Sequence, residues 1–183
     1  MKSLNLKGKK FITLHRGSDS NYSKNVVKLW PTEYYNTLIG MLREKYPTAI
    51  LVQMGISESR CVLMSGVDIN LVGKTTMEEV KILLKHSALH IDCEGGYVHL
   101  REALNGGCST VLFGPTSMEF YGYDNNINIK GNGCLHPCEW QREDWLDHCV
   151  KGETKPSCMY SISPAVVLEK IERKFSNVDL MNS

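Results

Sequence analysis

The stretch Asp92–Leu104, DCEGGYVHLREAL, sets two bare glycines between an acidic pair and a histidine, where an apolar helical pattern begins. Glycine lets backbone approach a ligand closely. A helix start offers unpaired N–H groups and a partial positive charge, which favour phosphate. His99 falls in the first helical turn and can add a donor. The same residues also suit a plain turn beside a surface histidine, and the dinucleotide pattern GxGxxG is absent here. A second candidate is KLWP, Lys28–Pro31, where a lysine at the end of a polar loop precedes a helix start. Such a lysine reaches a phosphate as a mobile point charge, or is simply solvated. A third is FGPT, Phe113–Thr116, a rigid turn after a buried strand with a hydroxyl at its end.

A different chemistry sits in CLHPCEWQREDWLDHCVKGETKPSC. Cys134, Cys138, Cys149 and Cys158 are separated by three, ten and eight residues. Four thiolates suit a tetrahedral zinc or iron site, although CxxxC is looser than the usual zinc-finger spacing. Two thiol pairs, or disulfides formed on oxidation, fit as well. His136 and His148 are substitute ligands. A polar loop of this kind has little core, and a metal could fix it. Trp140 and Trp145 either pack the segment onto the sheet or present an aromatic face. Cys61, Cys93 and Cys108 lie in or beside apolar segments and read as core.

The totals frame these candidates. The chain has 183 residues, suiting one domain over 1–183, with 131–160 as its cysteine-rich segment and 163–176 as a C-terminal helix. A net charge of +1 argues against a nucleic-acid or anionic-membrane partner. No apolar run approaches the roughly 20 residues that span a bilayer. The N-terminal stretch lacks a signal-peptide core, so a cytoplasmic protein is expected.

Short strands alternate with amphipathic helices. Strands are expected at Phe11–His15, Ala49–Gln53, Ile69–Gly73, Ala88–Asp92, Ser109–Phe113 and Asn126–Lys130. Helices are expected over 31–47 with Tyr34, Leu38, Met41 and Leu42 inward, over 76–86 with a Thr76–Glu79 capping box, over 97–104, and from Ser163 with Val166, Val167, Ile171 and Phe175 inward. Strands read as apolar throughout imply a parallel sheet covered on both faces, a Rossmann-like doubly wound α/β domain. Its ligands bind beyond the carboxyl ends of the strands, where Arg16-Gly17-Ser18, Gly55, Gly73, Glu94-Gly95-Gly96 and Gly114-Pro115-Thr116 all fall.

KLWP, a strand ending at Gly55 with Glu58 behind it, LVGKTTMEEV, EGGYVHLREAL and VLFGPT follow one another at domain-scale spacing. In this order they resemble the C-terminal half of glycosyltransferase family 9, the ADP-heptose:lipopolysaccharide heptosyltransferases. The resemblance implies the donor-binding half of a GT-B enzyme, with two Rossmann-like domains flanking the active site. It places Lys28 on the donor phosphates, and Glu94, Gly95, Gly96 and His99 around diphosphate and sugar. It places Glu58 near the nucleoside, and Ser18 and Thr116 near the donor. It implies an inverting transfer from ADP-heptose or a similar nucleotide-sugar, with no metal needed for the chemistry and with the leaving diphosphate stabilised electrostatically. The family's general base lies in the N-terminal half, so no catalytic base is expected in these residues. An N-terminal Rossmann domain or a partner chain would supply it, and the isolated chain is expected to bind donor but transfer poorly. Some members of the family, the protein O-heptosyltransferases, carry a cysteine-ligated iron, which implies a metal for the four cysteines. Two departures stand out. Heptosyltransferases usually read Asp-Thr-Gly where this chain has Glu94-Gly95-Gly96, and the loop from Ser18 to Lys28 is long. The rivals are a metal-stabilised interaction module without catalysis, and a nucleotide-binding oxidoreductase or epimerase, the latter disfavoured by the missing GxGxxG.

Overall fold

The structure, a computed structural model, describes residues 6, 8–16, 26–56, 61–134 and 137–175. Six strands form one sheet: β1 (Phe11–Leu14), β2 (Ile50–Gln53), β3 (Ile69–Asn70), β4 (Leu89–Cys93), β5 (Ser109–Phe113) and β6 (Ile127–Lys130). Their order is β3-β2-β1-β4-β5-β6, and every pairing is parallel. The chain starts in the middle and winds outwards twice, which leaves a crevice between the carboxyl ends of β1 and β4. The helices are α1 (Thr32–Lys45), α2 (Met77–His86), α3 (Gly96–Ala103), α4 (Met118–Tyr121), α5 (Ser157–Tyr160) and α6 (Pro164–Phe175). A 3-10 turn, Val26–Lys28, precedes α1.

The two faces of the sheet differ. One side chain in two points to each face. On the first face Ile12, Leu14, Leu89, Ile91 and Cys93 pack with Trp30, Tyr35, Leu38 and Ile39 of the α1 region and with Val167 and Ile171 of α6. The Trp30 indole also donates to the Ile162 carbonyl at 2.9 Å, which pins the segment just before α1. On the second face α2 brings Val80, Leu83 and Leu84 against Phe11 and Val52, while Val98 of α3 meets Val111 and Phe113. The capping box at Thr76 forms as its sequence predicts.

Several expectations need correction. The strands are not apolar throughout: Thr13, His15, His90, Asp92 and Ser109 are all buried on the second face. The expected strand Ile69–Gly73 is regular only over Ile69–Asn70, although the N–H groups of Leu71 and Gly73 still donate to the carbonyls of Gln53 and Gly55 at 2.9 Å. The buried stripe of α1 is Tyr35, Leu38, Ile39 and Leu42, one position away from Tyr34 and Met41. Val166 of α6 is exposed and Phe175 only partly covered, so Val167 and Ile171 alone are fully buried there. A 3.6-residue period admits neighbouring stripes, and packing against the sheet selects one. The short helices α4 and α5 were not expected. Trp145 packs inward as proposed, whereas Trp140 is 77% exposed. Cys61, Cys93 and Cys108 are core.

Candidate functional site

Lys28 and Glu94 come from segments 66 residues apart, and the fold brings their charged ends to 2.6 Å. Two anchors hold the lysine. Trp30, two residues on, is fixed in the core, and the backbone N–H of Val27 donates to the Leu146 carbonyl at 3.1 Å. Glu94 follows β4 directly and its N–H donates to Leu112 O, extending the pairing with β5. Its second oxygen lies 3.2 Å from His99 Nε2, and His99 Nδ1 lies 2.9 Å from the Tyr123 hydroxyl. Glu94 thus orients one cation and one imidazole at the crevice mouth. Burial pushes its carboxyl up, but the His99 hydrogen bond and the Lys28 ammonium outweigh that and hold it at about 2.

The glycine pair now has a physical account. Gly95 adopts an extended backbone that any residue can take, and no side chain caps α3. A Cβ on Gly96 would meet nothing within 4 Å, and one on Gly95 would touch only Cys93 O at 3.8 Å. Neither turn geometry nor internal packing therefore requires glycine here. The bare surface faces open space over a helix N-terminus, where backbone N–H groups point outward.

Beneath this turn runs a buried polar chain that the sequence did not announce. Asp92 is 1% exposed and its two oxygens lie 3.1 and 3.0 Å from His15 Nδ1. A carboxylate only accepts, so that nitrogen carries the proton. His90 Nε2 lies 3.4 Å from the same carboxylate, and its Nδ1 lies 2.9 Å from Thr13 Oγ1. The Thr13 and Ser87 hydroxyls are 3.2 Å apart. Arg101 then donates to Ser87 Oγ at 2.6 Å, to Ser87 O at 3.0 Å and to Leu84 O. Burial lowers His90 and keeps it neutral despite Asp92. Burial also lowers Arg101, to about 10. The Tyr97 ring lies against His15, tilted by 46°, with ring centroids 4.6 Å apart. His15, His90, Asp92 and Tyr97 were missed as site residues. The signal was present in β4, where His90, Asp92 and Glu94 alternate in LHIDCE.

The remaining candidates divide clearly. Thr116 is buried at the β5 turn; its hydroxyl helps lower the Glu94 carboxyl yet reaches no partner at full hydrogen-bond geometry. Ser18, Glu58 and His136 lie outside the described residues. The cysteine-rich segment grips both rims of the crevice. Besides its bond to Val27, it sends the N–H groups of Cys138 and Glu139 to Pro115 O at 2.8 and 3.2 Å, and Glu139 accepts from the Ser117 N–H at 3.2 Å. Gly131 closes the seam with α5, since a Cβ there would lie 1.9 Å from Cys158 O. Burial raises Cys138, with Cys134 and Cys149 adding to it. Burial pushes Cys158 up to about 12, with Cys138 as the strongest neighbouring thiol. Four thiols suit a thiophilic ion in type. Among the described residues no three Cys, His, Asp or Glu side chains are grouped closely enough to hold a metal ion as they stand. No helix among the described residues is long and apolar enough to cross a membrane.

Known proteins share this design. The fold matches ADP-heptose lipopolysaccharide heptosyltransferase II of E. coli with a TM-score of 0.65, at 20% identity over 92% of this chain and 47% of that one. It matches the iron-containing dodecameric glycosyltransferase TibC of enterotoxigenic E. coli with a TM-score of 0.74, at 14% identity over 93% of this chain and 46% of that one. E. coli heptosyltransferase WaaC, solved with ADP, gives a TM-score of 0.58 at 16% identity, over 93% and 46%. The chain therefore spans a little under half the length of each. No curated protein sequence matches it. The model of glycosyltransferase family 9 (heptosyltransferase) matches residues 5–148. A parallel sheet of this order, with the motifs of that family along its carboxyl edge, places the chain: it belongs to glycosyltransferase family 9.

Proposed function

We propose that this chain is the donor-binding half of an inverting glycosyltransferase and that it holds a nucleoside diphosphate sugar at the β1–β4 crevice. The observation that carries this reading is the 2.6 Å approach of Lys28 to Glu94 beside the bare Gly95–Gly96 turn. In this reading the diphosphate lies on the α3 N-terminus, Lys28 Nζ meets its oxygens, and His99 adds a donor held in place by Tyr123 and Glu94. Ser18, Glu58 and Thr116 complete the donor contacts. As the glycosidic bond to the diphosphate breaks, negative charge grows on the leaving oxygens, and these fixed donors stabilise it. The acceptor hydroxyl attacks from the other side of the anomeric carbon. In this reading the base that takes its proton comes from a further domain or partner chain. WaaC was solved with ADP and TibC with ADP-heptose, which makes adenine nucleotides the first donors to test.

The cysteine-rich segment holds a structural zinc or iron ion in the same reading. Support comes from the chemistry of four thiols in one segment, two of them raised by burial and further by neighbouring thiols, and from an iron-containing protein of similar fold. The ligands would be Cys134, Cys138, Cys149 and Cys158. Elemental analysis of purified protein tests this, and a stoichiometry near zero with the fold intact rejects it.

Calorimetric titration with ADP, GDP and UDP and their sugars tests the donor site. Binding of one nucleotide series is expected, with Lys28→Met weakening it at least about tenfold by removing a charge-assisted contact. No nucleotide binding by folded protein would instead favour an interaction module, for which the exposed Trp140 ring offers an aromatic surface. Sugar transfer by this chain alone is expected to be slow or absent, and efficient transfer would place the base within it.

A further inference from the structure

The crevice mouth carries basic groups in different situations. Lys28 is matched in contact, because Glu94 holds its ammonium at 2.6 Å. His99 is engaged at both ring nitrogens, by Tyr123 and by Glu94. Arg16 stands two residues beyond the end of β1. The His15 N–H still donates to Ile91 O at 3.0 Å, so β1 and β4 stay paired up to the residue before it. The Cys93 thiol donates to the Arg16 carbonyl, with 3.9 Å between sulfur and oxygen, and so ties its backbone to the end of β4. This is the point where the strand order reverses, and where sheets of this kind bind their ligands.

The Arg16 side chain is half-buried, and its Nε is shielded from solvent with no acceptor among the described residues. The two carboxylates of the neighbouring strand end are taken: Asp92 faces His15 and His90, and Glu94 faces Lys28 and His99. The guanidinium charge is felt at the crevice floor. Burial raises the Tyr35 hydroxyl, with Cys93 and Asp92 adding to it, and Arg16 opposes them. That hydroxyl donates to the carbonyl of His15, the residue before Arg16, at 2.8 Å. Across the crevice Lys28 and Arg16 balance Glu94 and Asp92. An incoming diphosphate therefore gains little from net charge and most from a cation not already in contact with a carboxylate. Among the described residues at this crevice, Arg16 is that cation. A shielded donor left unpaired is unfavourable, and a planar guanidinium fits two phosphate oxygens at once.

We infer that Arg16 is a donor-binding residue, whose guanidinium holds the diphosphate from the β1 side of the crevice while Lys28 and the α3 N-terminus hold it from the other. The inference rests on the donor-binding reading and adds to it a residue that neither spacing nor family resemblance picked out. The diphosphate oxygens accept from the Arg16 fork, and the unpaired Nε–H gains a partner. As the bond to the sugar breaks, the same fork meets the charge that grows on the leaving group.

The test is calorimetric titration of the whole chain with ADP, beside thermal unfolding without ADP, for wild type, Arg16→Met and Arg16→Lys. Arg16→Met keeps a long apolar stem and removes the charged fork. Without ADP it is expected to unfold at the wild-type temperature, because folding loses no hydrogen bond of the guanidinium. Its affinity for ADP should fall about tenfold or more. Raising the salt from about 50 mM to about 300 mM should weaken ADP binding less in Arg16→Met than in wild type, since one screened attraction is gone. Arg16→Lys returns the charge without the fork and should bind ADP more tightly than Arg16→Met. Wild-type affinity in Arg16→Met overturns the inference. So does a weaker affinity with an unchanged salt dependence, because the loss would not be electrostatic. Unfolding of Arg16→Met well below the wild-type temperature also overturns it, since the side chain would then serve the fold. Binding by Arg16→Lys no tighter than by Arg16→Met removes the role of charge and overturns it as well. If ADP fails to bind wild type, the donor-binding reading fails and this inference with it. If ADP binds and Arg16→Met leaves it unaffected, this inference alone fails.

Discussion

The two faces of β1 and β4 meet solvent-free surroundings of opposite character. Towards α1 and α6 the strands present Ile12, Leu14, Leu89 and Ile91, packed on Trp30, Tyr35 and Leu38. Towards α3 the same strands present Thr13, His15, His90 and Asp92, tied to Arg101 through Ser87. The first face is what a sheet needs in order to be stable, since apolar burial is non-directional and tolerant of detail. The second depends on each partner being present, because a buried polar group left alone costs more than it gains when paired. A domain that needed only stability would have two faces of the first kind. The polar face runs straight to the β1–β4 crevice, where it places the Asp92 charge.

This contrast can be broken by substitution. The largest effect is expected on the apolar face: Trp30→Ala should cost about 4 kcal/mol by urea unfolding, through lost burial and a cavity. Lys28 lies two residues away, so ADP affinity should fall with it. On the polar face Arg101→Met should cost about 3 kcal/mol, since Ser87 and the Leu84 carbonyl lose their donor inside the protein. A cost near zero would mean that this chain is no more than packed polar atoms. At the rim Glu94→Gln should cost about 2 kcal/mol, leaving Lys28 partly buried without its counter-charge.

The same carboxylate gives a signature in pH. Its value in the fold is depressed from 4.5 to about 2, so its contribution is complete above the ordinary value. That contribution is lost as the pH falls from 4.5 towards about 2, and Glu94→Gln should flatten this part of the stability profile. The smallest effect is expected where the faces touch. Tyr35 belongs to the apolar side but reaches the His15 carbonyl at 2.8 Å, and Tyr35→Phe should cost about 1 kcal/mol. A much larger loss would show that the tyrosine holds the polar chain in place and does not merely border it.

Part of this was legible in the residues themselves. Periodicity located the longer helices α1, α2, α3 and α6 and all six strands, because amphipathic patterns have to match the surface they cover. The capping box at Thr76 and Glu79 is a local interaction, and it formed as read. Glu94, Gly95, Gly96, His99 and Lys28 were picked out as a group through family resemblance, whereas spacing alone favoured a plain turn at the glycine pair. The errors came where an alternation had two readings. LHIDC was taken as apolar although every second residue is polar, and the stripe of α1 slid by one position.

Sequence by itself determined the alternating α/β order, the sheet edge where ligands belong, and the residues that cap, turn and fill a core, since all of these are set by neighbours close along the chain. Only the tertiary structure decided that Lys28 meets Glu94, that Asp92 is clasped by His15 and His90, and that Arg101 is a buried end of the same chain of hydrogen bonds. Those pairings join residues from separate strands and helices. They depend on strand order and register, and no local pattern encodes which distant side chain will stand opposite.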